Sequence, residues 1–130
     1  SNDGIIAWAR RTGRGDHFYY FSDTVPTEVR TVGEGVMLTD GHCSFSPDGH
    51  WLLNDTYPDA TGHRALMLYH WATGERLDIG RFHAPAVDWQ IRCDLHPRWS
   101  RDGRRVCIDS VHEGSRQIYV IDVSSIVTRH

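Results

Sequence analysis

Hydrophobic and polar positions alternate along this chain in short runs. Ile5-Ile6-Ala7-Trp8, Phe18-Tyr19-Tyr20-Phe21, Trp51-Leu52-Leu53, Ala65-Leu66-Met67-Leu68-Tyr69, Val106-Cys107-Ile108 and Ile118-Tyr119-Val120-Ile121 are separated by segments rich in Gly, Pro, Asp and Ser. The runs are short and rich in β-branched and aromatic residues, and no window of about 12 residues carries a 3.6-residue period. The pattern predicts β-strands joined by tight turns, with almost no helix.

The runs repeat. His42-Cys43-Ser44-Phe45-Ser46-Pro47-Asp48-Gly49 is echoed by His96-Pro97-Arg98-Trp99-Ser100-Arg101-Asp102-Gly103. His42 and His96, Ser46 and Ser100, Asp48 and Asp102, and Asp55 and Asp109 are each 54 residues apart. The segments 65–70 and 117–122 extend the match, and 18–23 is a third copy. The Asp-Gly pairs suit hairpin turns, because Gly adopts positive φ at no steric cost. Thr73-Gly74 marks a further hairpin. Each unit therefore reads strand, turn, strand, loop, strand, turn, strand, which is a four-stranded antiparallel propeller blade. The expected fold is all-β, with about two and three-quarter blades in one partial domain. Residues 4–35 form an incomplete blade lacking its first strand, 42–82 a full blade and 95–130 the last blade. Open blades leave unpaired strand edges, so self-association through those edges is expected.

Composition narrows the function. The formal net charge is -3, from 14 basic residues, all Arg, against 17 acidic ones. No basic stripe or long apolar run stands out, so neither nucleic-acid nor membrane binding is expected. Ser1-Asn2-Asp3-Gly4 lacks the basic and apolar regions of a signal peptide. Cys43, Cys93 and Cys107 have no CxxC spacing, and an unpaired set suits a reducing, cytoplasmic setting. Nine His among 130 residues invite a metal or acid–base reading, and only His42 and His96 share a repeated position.

The Ser-Pro-Asp-Gly and Ser-Arg-Asp-Gly strands resemble the WD-type repeat of TolB-like propellers. More narrowly, the chain resembles the C-terminal part of oligogalacturonate lyase-type propellers. His42 stands six residues before Asp48-Gly49, and Trp89-Gln90-Ile91-Arg92-Cys93-Asp94-Leu95-His96-Pro97 stands where that family has a Gln followed by a His-Pro-His-Pro stretch. The resemblance implies a seven-bladed propeller holding Mn²⁺ or another divalent cation, and β-elimination of acidic uronide oligosaccharides. It implies metal ligation by His42, His96 and Asp94, which replaces a family His, and by Gln90, which is one residue out of register. Imidazole, carboxylate and carbonyl oxygen suit such an ion, although Asp94 could instead orient His96. His42 and His96 could also serve only as hydrogen-bonding groups at the blade entrance. Arg92 is a candidate for bidentate pairing with a substrate carboxylate, and Tyr57 lies in a polar loop suited to face a ligand. Asp55 and Asp109 are expected to make turn or inter-strand hydrogen bonds. The family's catalytic base and catalytic Arg would precede residue 1, so no catalytic residue is assigned and the chain alone is expected to be inactive. The alternative is a non-catalytic propeller module that binds a protein or glycan.

Overall fold

The structure is a computed structural model that describes residues 4–11, 15–25, 27–84 and 92–128. Ten strands form three antiparallel sheets. The first holds β1 (Gly4–Arg11), β2 (Gly15–Ser22) and β3 (Val29–Val32), in that spatial order. The second is a complete four-stranded meander of β4 (Ser44–Phe45), β5 (Trp51–Asp55), β6 (His63–His70) and β7 (Arg76–His83). The third holds β8 (Arg98–Trp99), β9 (Arg105–Ser110) and β10 (Gln117–Asp122).

The repeat seen in the sequence is a repeat of atoms. Ser46 Oγ donates to Asp48 Oδ1 at 2.6 Å, and Ser100 Oγ donates to Asp102 Oδ1 at the same distance. The Trp51 and Arg105 amides each reach the preceding Ser Oγ at 3.0 Å. The turns close at Gly49 and Gly103, with φ of 76° and 70°, a region where a side chain would be strained.

Alternation along the strands explains how the sheets stack. Trp51, Leu53, Leu66 and Leu68 face the third sheet and pack with Leu95, Val106, Ile108 and Val123. Leu52 and Tyr69, on the opposite face of the second sheet, pack with Phe18, Tyr20, Val32 and Met37. The middle sheet is thus buried on both faces, which is why its strands read as nearly continuous apolar runs. Complete burial of residues such as Trp51, Leu53 and Ile108 stabilises the stack by roughly 1.5–3 kcal/mol each. Trp99 adds a polar tie, its Nε1 donating to the Ser44 carbonyl at 3.3 Å.

The last unit departs from the expected four strands. After β10 the chain enters a four-residue helix, α1 (Ser124–Val127), and no fourth strand follows among the described residues. Asp122 accounts for the turn, accepting from both the amide and the hydroxyl of Ser124 at 2.9 and 2.6 Å. Such local side-chain bonds compete with strand pairing, and the buried Val123 holds the turn against the core. No helix among the described residues is long and apolar enough to cross a membrane.

Candidate metal centre

His42, Asp94 and His96 come together between the second and third sheets. Each offers one ligand atom, and these atoms lie within 4.8 Å of one another. The His42 and His96 ring centroids are 4.6 Å apart. Gln90 lies outside the described residues.

The two histidines are held differently despite their equivalent places in the repeat. Asp55 ends β5 in phase with Trp51 and Leu53, so its carboxylate points inward and is buried. It accepts from the His42 amide at 2.6 Å and lies 3.1 Å from His42 Nδ1 through both oxygens. With Nδ1 carrying the proton toward Asp55, Nε2 is left with its lone pair for a ligand. Gly41 makes this approach possible: a Cβ there would overlap the Asp55 carbonyl. His96 is exposed, and its backbone has φ of 42°, the one positive value among the described non-glycine residues. That conformation costs on the order of 1–2 kcal/mol for a residue with a side chain.

Asp94 is buried beneath the histidines and flanked by two guanidinium groups. Arg64 Nη2 lies 2.8 Å from Asp94 Oδ1, and Arg92 Nε donates to Asp94 Oδ2 at 3.0 Å. Arg64 is itself buried, and its Nε and Nη1 have no hydrogen-bond partner. Tyr57 completes the group, its ring 5.9 Å from the Arg64 guanidinium, 5.6 Å from that of Arg92 and 6.1 Å from the His42 ring. Tyr57 also borders a cleft of about 430 Å³ lined by Leu38, Asp40, Asp59, Arg76 and Arg81. Next to the site, burial and then the charge of Asp55 push the Cys43 thiol up to about 12.

Two imidazole nitrogens and a carboxylate oxygen form a donor set that a divalent transition ion accepts. The arginines on Asp94 compete with that role, because they already neutralise the carboxylate. Of the residues singled out from the sequence, His42, Asp94, His96, Arg92 and Tyr57 lie beside one another, but Arg92 contacts Asp94 and Tyr57 and is engaged inside the cluster. Sequence reasoning left Arg64 in a polar loop with His63, whereas it lies in β6, and gave Asp55 only a structural role. Both had a readable signal, since each carries charge at a strand position in phase with buried apolar neighbours: Arg64 with Leu66 and Leu68, Asp55 with Leu53.

No protein-family model matches the chain, and no curated protein matches it. Among solved structures, the crystal structure of TolB from Acinetobacter baumannii is similar, with a TM-score of 0.62 at 18% sequence identity. The match covers 94% of this chain and 28% of that one. Together with the three stacked sheets, it defines the class of protein: the chain folds as part of a TolB-like β-propeller. At this identity the likeness extends to the fold alone.

Proposed function

We propose that the chain contributes a divalent-cation site to a propeller that cleaves acidic uronide oligosaccharides by β-elimination, in the manner of oligogalacturonate lyases. The observation that carries the reading is the convergence of His42, Asp94 and His96, with ligand atoms within 4.8 Å. His42 and His96 would hold the ion, which is taken to be Mn²⁺ or a similar cation, with Asp94 and Gln90 completing or supporting the set. Bound there, the cation supplies positive charge to the substrate carboxylate and so acidifies the neighbouring C–H. Asp55 orients His42, while Arg92 and Tyr57 border the place where an acidic sugar would lie. No proton-abstracting residue is assigned within the chain.

A second reading is a non-catalytic propeller module that binds a protein or glycan. The two arginines on Asp94 favour it, because they occupy the carboxylate that a cation would use. We also propose that copies of this chain associate through the open edges of β1 and β10 and that the setting is cytoplasmic.

The test is an absorbance assay for unsaturated uronide product with the full-length protein and oligogalacturonide. The lyase reading expects product formation that a chelator abolishes, that added Mn²⁺ restores and that His42→Ala removes. Absence of product in the metal-loaded full-length protein would favour the binding module.

A further inference from the structure

We infer that Arg98 is a positioning residue for His96 and sets the geometry of the two-histidine site. The repeat supplies an internal comparison. In the second sheet the acid at the end of the second strand, Asp55, grips the histidine itself through its amide and Nδ1. In the third sheet the equivalent acid, Asp109, does not grip His96. Its carboxylate instead accepts from Arg98 Nη2 at 3.1 Å, and its amide donates to the Leu95 carbonyl at 2.8 Å. Arg98 Nη1 donates to the His96 carbonyl at 2.9 Å. The position equivalent to Arg98 is Ser44, whose short side chain cannot span two such acceptors.

His96 thus sits inside a closed loop of contacts: Leu95 to Asp109, Asp109 to Arg98, and Arg98 back to His96. The loop ties the backbone of His96 on both sides, and among the described residues no hydrogen bond holds its imidazole elsewhere. A residue with a side chain persists at positive φ only where its surroundings over-determine it, and the Arg98 fork is the group that does so here. The outcome is an imidazole set against the His42 ring at 4.6 Å, where a copy of the Asp55 arrangement would have tied it to Asp109. The fork needs two donors in fixed geometry, which Arg has and Lys lacks. This inference rests on the cation reading for its functional consequence, and on hydrogen bonds and backbone geometry for its substance.

Two readouts test it on the 130-residue chain. The first is the nuclear Overhauser contact between the His42 and His96 ring protons in the absence of metal. The second is titration with Co²⁺ followed by its visible d–d spectrum. Arg98→Ala is expected to abolish the inter-ring contact and to weaken Co²⁺ binding by about 10- to 100-fold, with an altered spectrum. Arg98→Lys, which keeps the charge, is expected to do the same and carries the test should the alanine variant fail to fold. An inter-ring contact that persists in the folded lysine or alanine variant overturns the inference, whatever the metal does. Failure of the wild-type chain to bind Co²⁺ while the contact depends on Arg98 sinks the cation reading and leaves the positioning role standing.

Discussion

His42 Nδ1 lies 3.1 Å from each carboxylate oxygen of Asp55, a residue at the floor of the site that solvent barely reaches. This contact does more than join two strands. It fixes which imidazole nitrogen faces the cluster and holds the ring in one orientation. Asp55→Asn is expected to keep the fold while lowering cation affinity by about 10- to 100-fold. Asp55→Ala should in addition lose about 1–3 kcal/mol of stability, because the His42 amide would lose its partner. Calorimetric titration and urea unfolding separate the two effects. Undiminished affinity in the asparagine variant would remove Asp55 from the site.

Acid should unfold the protein partly through its hairpin turns. The Ser100 hydroxyl, followed by the Arg104 amide, holds the Asp102 carboxyl below its usual value. At Asp48, burial raises the value, but the Ser46 hydroxyl and the His50 amide outweigh it, and the net direction is again downward. A carboxyl that ionises more easily in the folded state stabilises it above the unfolded pKa of about 3.9, and that contribution disappears as pH falls through the depressed value. Urea midpoints measured from pH 6 down to pH 2 should therefore drop less steeply in Asp48→Asn and Asp102→Asn than in the wild type. Parallel curves would contradict this origin.

Cys43 should be a sluggish nucleophile. With its thiol pushed up to about 12, little thiolate exists near neutrality, and the thiolate is the reactive form. Iodoacetamide at pH 8 should label it far more slowly in the native chain than in the unfolded one. Equal rates would show that the thiol is neither buried nor facing Asp55.

The open edge of the third sheet carries a prediction about assembly. Ile118 and Val120 on β10 are 68% and 63% exposed, and among the described residues β10 has no neighbour on its outer side. Unpaired apolar edges recruit other strands, so the chain should self-associate in light scattering, and Val120→Lys should shift it toward monomer. A monodisperse wild-type monomer would rule out edge pairing between copies.

Much of the fold was legible because blade repeats are local. The 54-residue offset, the Asp-Gly turns and the strand alternation each reflect chemistry contained within a few residues, and the structure reproduces the turns bond for bond. The turn into α1 after β10, with no fourth strand among the described residues, was not legible, because Asp122 and Ser124 turn the chain through side-chain bonds that no periodicity reports. The site was legible in its members but not in its organisation. His42 and His96 share a place in the repeat, yet their different restraints depend on Ser44 against Arg98, a difference that looks incidental in the sequence. Arg64 read only as part of a polar loop because its partner, Asp94, lies 30 positions away and meets it only when the sheets stack.

The most direct test of the account is Mn²⁺ binding by the purified chain, followed by loss of the free-ion electron paramagnetic resonance signal. The account predicts one ion per chain in the wild type, and loss of that binding in both His42→Ala and His96→Ala while circular dichroism shows the strands intact. Mn²⁺ binding that survives both substitutions, or a wild-type chain that binds none, would contradict it.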